Sequence, residues 1–217
     1  VVELFPSNLV HIGGDEAPKF RWENCPKCQK RIKNEGLKDE HELQSYFIER
    51  IANILASKNK TIIGWDEILE SEIRTDAIVQ SWRGFEGGIK AVKSGKKAIM
   101  SPTSNAYFDY SISTTDLEKV YDFNPIPAGL NQYEQNLIIG GECNLWSERI
   151  LNEEGLDYKA FPRLLAMSEV LWTNPEEKNY PVFLQKVQNH YPILKQLNVK
   201  YGPEANPVNI KLVKDST

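Results

Sequence analysis

The stretch Thr61-Ile62-Ile63-Gly64-Trp65-Asp66-Glu67 decides the fold. Its first half is a β-branched apolar run with no polar alternation, the pattern of a strand covered on both faces, as in a parallel sheet. Its second half closes that strand with an indole and two carboxylates. The same grammar recurs four times. Leu9-Val10-His11-Ile12 runs into Gly13-Gly14-Asp15-Glu16, and Ala77-Ile78-Val79-Gln80-Ser81 runs into Trp82. Lys97-Ala98-Ile99-Met100-Ser101 leads to Tyr107-Phe108-Asp109, and Leu137-Ile138-Ile139-Gly140-Gly141 leads to Trp146-Ser147-Glu148.

Helical periods lie between the runs. Leu43, Phe47, Ile51, Ile54 and Leu55 share one face of a helix predicted over residues 39–58. Residues 87–94 fit a short helix. Phe161, Leu164, Leu165, Ser168 and Leu171 mark another, with Asp157 as its expected N-cap. A last helix begins near Pro181, a residue favoured at the first helical position, and continues through Leu184, Val187, Tyr191 and Leu194. Residues 27–42 read as a solvated surface insertion.

Strands alternating with helices mean an α/β fold. A doubly wound sheet gathers its site at one switch point, whereas here site-like residues follow every run. That is the habit of the (β/α)8 TIM barrel, whose site is drawn from the C-terminal ends of many strands. Five strands cannot close a barrel of eight. The chain is therefore expected to hold about strands 4 to 8 of a partial barrel, with the N-terminal strands missing. Residues 1–197 would form its C-terminal part, and residues 198–217, after the break at Gly202-Pro203, a tail or the start of a further domain. Such an open barrel exposes strand edges to association.

Composition narrows the function classes. The 217 residues carry a net charge of -4, with 41% hydrophobic and 26% charged residues. No basic stripe suggests nucleic acid, and no apolar stretch approaches the roughly 20 residues of a membrane span. Cys25-Pro26-Lys27-Cys28 lacks the second ligand pair that a zinc site requires, and Cys143 stands alone. A local disulfide or two loop thiols are the remaining readings.

The chemistry concentrates at His11-Ile12-Gly13-Gly14-Asp15-Glu16. The glycines let the backbone turn sharply off a strand. Two adjacent carboxylates resist ionising together, so one can keep the proton that a general acid needs. Taken alone, the motif also fits an ordinary polar loop. The tryptophans add weight: of five, Trp65, Trp82 and Trp146 fall at the ends of separate predicted strands, while Trp22 and Trp172 are expected to pack. Rings beside carboxylates suit sugars, whose C–H faces stack on indoles while their hydroxyls bond to acids.

His11 to Glu16 resembles the His-x-Gly-Gly-Asp-Glu signature of the family-20 glycoside hydrolases, the β-N-acetylhexosaminidases. The likeness continues in order through Gly64-Trp65-Asp66-Glu67, Ser81-Trp82, Tyr107-x-Asp109 and Trp146-Ser147-Glu148, over about residues 5–172. The resemblance implies exo-acting release of terminal non-reducing β-linked N-acetylglucosamine or N-acetylgalactosamine. Catalysis would be substrate-assisted and retaining, through an oxazolinium intermediate. It makes Glu16 the general acid, and Asp15 the group that orients the acetamide and stabilises its charge. Tyr107 would donate to the acetamido oxygen. Trp65, Trp82 and Trp146 would wall the acetyl pocket and sugar face, and Asp109 and Glu148 would bind hydroxyls.

By the same resemblance the partner is a carbohydrate, neither cofactor nor metal is involved, the rest of the barrel lies outside this chain, and the enzyme is periplasmic or secreted. The family's sugar-gripping arginine from the first strand is not in this sequence. His11 would lie under the acid or be a satisfied buried histidine. Asp66 should point away from Trp65, Glu67 should support the site or cap a helix, and Glu142 could stand behind the site. Two other readings stay open: an ordinary retaining glycosidase pairing Glu16 with a carboxylate such as Glu148 about 5–5.5 Å away, and a non-catalytic sugar-binding domain.

Overall fold

The computed structural model describes residues 2–70, 73 and 75–205. In chain order it comprises β1 (Leu9–His11), α1 (Phe20–Glu23), α2 (Pro26–Glu35), α3 (Glu40–Ala56), β2 (Thr61–Trp65), β3 (Ala77–Ser81), α4 (Glu86–Lys93), β4 (Ala98–Met100), α5 (Thr103–Ala106), α6 (Leu117–Tyr121), α7 (Gln132–Asn136), β5 (Ile138–Gly141), α8 (Glu153–Ala160), α9 (Arg163–Trp172) and α10 (Tyr180–Gln196). Short 3-10 turns lie at Asp66–Leu69, Ser147–Arg149 and Pro175–Glu177.

The five strands pair in parallel in the order β1-β2-β3-β4-β5. Each crossover therefore steps one strand over in the same direction. Strand order never reverses, so the sheet has no switch point. It is the wall of a partial (β/α)8 barrel, not a doubly wound sheet. The register sets Gly64 beside Val79 and Trp65 beside Gln80, which levels the strand ends that carry the site. Central β3 is buried along its whole length, while the outer strands β1 and β5 leave Leu9 41% and Ile139 45% exposed. The apolar run pattern foresaw the two-sided burial at the centre.

The helices follow local rules. α3 starts where Asp39 accepts a hydrogen bond from the Glu42 N–H at 2.9 Å, and its inner face lays buried Ile48 and Ala52 toward the sheet. Ile62 is buried in β2, and truncating such a side chain to alanine costs about 2–5 kcal/mol. The region read as a solvated surface insertion is mostly exposed and carries helix α2, which buries Ile32 and ends at Gly36, in the left-handed conformation at φ 66°. Cys25 occupies the N-cap position of α2 and Cys28 its first turn, and both are free thiols, as is Cys143.

One helix start differs from expectation. Asp157 lies inside α8, whose N-cap is Asn152, with its side chain accepting from the Gly155 N–H at 2.8 Å. Pro162 is the reason. Proline lacks the donor a continuing helix needs and drives the residue before it into extended backbone. Phe161 is accordingly extended (φ −105°, ψ 141°), and α9 begins anew at Arg163. Asp157 accepts the Lys200 N–H instead, at 3.0 Å.

The chain divides into two compact units. The first, residues 1–102 and 125–141, contains the whole sheet. The second comprises Thr103–Asn124 and the described residues from Glu142 onward. In the second unit Tyr121 of α6 stacks on Phe183 of α10 at 4.7 Å. Residues beyond 197 are seated there too: the Gly202 N–H donates to the Phe161 carbonyl and the Leu117 N–H to the Glu204 carbonyl, both at 2.9 Å. The rest of the expected tail, residues 206–217, lies outside the described residues. Among the described residues no helix is long and apolar enough to cross a membrane.

Candidate active site

In the first unit the site begins where β1 ends. The Ile12 N–H donates to the Ile63 carbonyl and the Trp65 N–H to the Gly13 carbonyl, which ties the turn to β2. Gly14 has φ 101°, and a Cβ there would lie 2.7 Å from Ile68 Cγ2. Only glycine combines that conformation with that approach, so the turn can lie flat on the 3-10 turn that follows β2. Two residues on, Glu16 also has positive φ, 46°, which costs a non-glycine residue about 1–3 kcal/mol.

Asp15 and Glu16 are both exposed, and they line two adjoining clefts that share Gly14 and Ala17. Asp15 lines an apolar one of about 920 Å³ with Ile12, Trp22 and Phe47. Glu16 lines a charged one of about 610 Å³ with Lys19, His41, Glu70 and Arg83. Trp22 was expected to pack; it is partly exposed, with the Lys19 ammonium 5.2 Å from its ring centre.

Rings line the ends of β1, β2 and β3. His11 meets Trp65 edge-on at 5.0 Å, and Trp65 meets Trp82 edge-on at 6.4 Å, the geometry that ring quadrupoles favour. Trp65 is buried and Trp82 half-buried. His11 is exposed on the outer strand rather than buried; its Nδ1 accepts the Gly13 N–H at 3.1 Å.

Behind Trp82 lies a second Asp-Glu pair. Asp66 is 3% exposed and Glu67 7%. Asp66 reaches the segment that follows β3. Its Oδ2 accepts the backbone N–H groups of Trp82 (3.0 Å) and Arg83 (3.3 Å), and its Oδ1 accepts Arg83 Nε at 2.5 Å. Glu67 Oε2 accepts Trp82 Nε1 at 2.9 Å. Arg83 Nη1 reaches Glu70 at 3.1 Å, and the other Glu70 oxygen is 3.2 Å from His41 Nδ1. Burial pushes the Glu67 carboxyl above its ordinary range, against the Trp82 N–H and Arg83, which favour its charge. Gly87 completes the fit: a Cβ there would sit 2.4 Å from Asp66 Cβ. Sequence reading passed over Arg83. The available signal was that two buried carboxylates need a cation and backbone donors, and Arg83 directly follows the tryptophan at the end of the next strand.

The second unit holds the remaining candidates. Tyr107 and Asp109 are buried, and Asp109 Oδ1 has no hydrogen-bond partner among the described residues. Their segment pairs with Asn144: the Phe108 N–H donates to the Asn144 carbonyl and the Asn144 N–H to the Ala106 carbonyl, both at 2.8 Å. Arg163, fully buried on α9, clamps it. The guanidinium lies 4.9 Å from the Phe108 ring centre and donates to the carbonyls of Phe108, Thr115 and Lys159. Burial lowers its pKa, and the three carbonyls replace part of the lost hydration. Lys159 Nζ donates to the Asp109 carbonyl at 2.5 Å. Trp146 and Glu148 are exposed at the 3-10 turn Ser147–Arg149, and Glu142 is exposed as well. Trp172, expected to pack, is 89% exposed at the end of α9. Neither Arg163 nor Lys159 was singled out from sequence, because a helical cation looks like solvated surface until its tertiary acceptors are known.

Residues 1–175 match the model for glycosyl hydrolase family 20, catalytic domain. A β-hexosaminidase of Porphyromonas gingivalis is 44% identical over 201 residues, covering 87% of this chain and 26% of that protein. The human β-hexosaminidase subunit beta is 29% identical over 196 residues, 88% of this chain and 35% of that one. Among solved structures, the family-20 exo β-N-acetylglucosaminidase of Vibrio harveyi superposes with a TM-score of 0.86 at 28% identity, covering 94% of this chain and 34% of that chain. The β-N-acetylhexosaminidase of Bacteroides fragilis gives 0.84 at 29%, covering 96% and 46%. The chain thus spans from about a quarter to somewhat under half of these relatives' lengths. With most of its length matched by the family model, the chain belongs to glycosyl hydrolase family 20 and carries part of that family's catalytic domain.

Proposed function

We propose that this chain works as part of an exo-acting β-N-acetylhexosaminidase that releases terminal β-linked N-acetylhexosamine by substrate-assisted, retaining catalysis. The observation that carries the reading lies within the first unit: the strained Asp15-Glu16 turn and the Trp65–Trp82 ring wall stand at the C-terminal ends of adjacent parallel strands. Support comes from the relatives, which are named as β-hexosaminidases, and from the Vibrio harveyi enzyme, whose structure is a complex with N-acetylglucosamine.

In this proposal Glu16 protonates the glycosidic oxygen, while the substrate's acetamido oxygen attacks C1. Asp15 orients the acetamide and stabilises the positive charge that grows on its nitrogen. Trp65, Trp82 and Trp146 hold the acetyl group and the sugar face, and Tyr107 donates to the acetamido oxygen. Asp109, with a buried and unpartnered oxygen, suits a sugar hydroxyl donor, and Glu148 takes another. Holding the acetamide against C1 makes the attack intramolecular, worth about 7–11 kcal/mol. Water then opens the oxazolinium with Glu16 as base. The missing barrel strands would come from the rest of the protein, and the enzyme would be periplasmic or secreted.

The test is turnover by the full-length protein of an aryl N-acetyl-β-glucosaminide beside the plain aryl β-glucoside. The expected result is activity confined to the N-acetylated substrate. Comparable rates on both would rule out acetamido assistance, and no turnover of either would favour a sugar-binding domain.

A further inference from the structure

We propose that Glu67 is a positioning residue that sets the orientation of the Trp82 indole through the Nε1–H hydrogen bond, so that the width of the acetyl pocket depends on a buried carboxylate that never touches the sugar. The inference rests on the hexosaminidase reading above. It begins with the freedom of the indole. The outer side-chain torsion of tryptophan is broad and roughly two-fold, and Trp82 is only half-buried, with Trp65 touching it edge-on. A directed hydrogen bond to the ring tip therefore selects between the two ring orientations. The bond from Nε1 to Glu67 Oε2, 2.9 Å, exists for one ring orientation alone.

Glu67 can choose the orientation because it is itself held. It sits in the 3-10 turn whose Ile68 is pressed between Gly14 and Gly64, where an added Cβ at either glycine would approach Ile68 Cγ2 to 2.7 Å. Its other oxygen lies 3.8 Å from Arg83 Nε. That guanidinium is anchored on Asp66 at 2.5 Å and Glu70 at 3.1 Å. Asp66 in turn binds the backbone N–H of Trp82. Both ends of the tryptophan, backbone and ring tip, are thus tied to one Asp-Glu pair. Keeping a carboxylate in so dry a place is costly unless it is partnered, and the indole N–H is the partner the site provides.

Kinetics of the full-length protein on aryl N-acetyl-β-glucosaminide test this through a double-mutant cycle between Glu67 and Trp82. Glu67→Ala should lower kcat by about 30-fold, the order expected for misplacing a reacting group by an ångström, with KM moved far less. Glu67→Gln, whose amide oxygen can still accept the indole N–H, should recover most of that loss. In a Trp82→Phe background the N–H is gone, so Glu67→Ala should cost less than about 3-fold more. If Glu67→Ala fails to fold, Glu67→Met, of similar volume and without an acceptor, takes its place. An equal loss from the Glu67 change in both backgrounds, or a Gln variant no better than Ala, overturns the inference and leaves the hexosaminidase reading standing. A wild-type protein inactive on the N-acetylated substrate overturns both.

Discussion

Two Asp-Glu dipeptides follow adjacent strands of this sheet, and the fold treats them in opposite ways. Asp15-Glu16, after β1, is exposed on a turn whose second residue takes a left-handed conformation. Asp66-Glu67, after β2, is buried and joined by hydrogen bonds to Trp82 and Arg83. The difference originates one residue earlier. Gly13-Gly14 lets the first pair swing out over Ile68, while the bulky Trp65 packs inward and sends the second pair behind the neighbouring strand. The same two acids are the proposed reactive groups in one place and a hydrogen-bonded brace in the other. Strain is tolerated where chemistry is wanted, and satisfied charge is placed where rigidity is wanted.

Substitutions in the full-length protein can break that contrast. The largest expected effect is Glu16→Gln, which removes the proposed acid and should lower kcat about 10³-fold with an unchanged melting temperature, since the side chain is exposed. Asp15→Asn should cost about 10²-fold, again without a stability change. Melting that shifts with either substitution would show that the first pair braces the fold after all. Asp66→Ala should behave in the opposite manner, losing about 2 kcal/mol of stability by stripping acceptors from Arg83 and the Trp82 N–H; denaturant titration reads this, and an unaltered midpoint would dissolve the contrast.

Smaller effects sharpen it. Glu16→Gly should relieve the left-handed backbone and raise stability by about 1 kcal/mol while abolishing turnover. No gain would mean that the turn stores no strain. The last prediction concerns pH. Burial raises the folded-state pKa of Glu67 above its unfolded value. The folded protein therefore takes up this proton first. The penalty for keeping Glu67 ionised is complete above the folded pKa and disappears below the unfolded one. As pH falls through the carboxylate range, Glu67 should return stability to the folded protein. Glu67→Gln should lack that increment; matching stability profiles for the two proteins would contradict the assignment.

Much of the fold was legible. Runs such as Thr61-Ile62-Ile63 and Ala77-Ile78-Val79 announce two-sided burial, and their observed bounds lie within a residue of the pattern. α3 was readable from its apolar face and Asp39 cap. Legibility failed where the deciding partner is remote. Asp157 has a sound cap chemistry, but Pro162 interrupts the helix downstream and hands the capping role to Asn152. Trp172 carries a large apolar ring and still lies exposed. Arg163 looks like any helical cation until its acceptors at Phe108, Thr115 and Lys159 are in view.

The amino-acid order alone determined the strand-helix alternation, the sequential winding suggested by polar residues after every strand, and the identity of the Asp15-Glu16 motif. Those are local properties, written in side-chain period and in residues a few positions apart. Only the tertiary structure decided which Asp-Glu pair is exposed and which is buried, that Arg83 and Trp82 are bound to the second pair, and that Arg163 clamps the Tyr107–Asp109 segment. Burial and hydrogen-bond partnership depend on groups brought together across strands and helices, and no spacing along one segment specifies them.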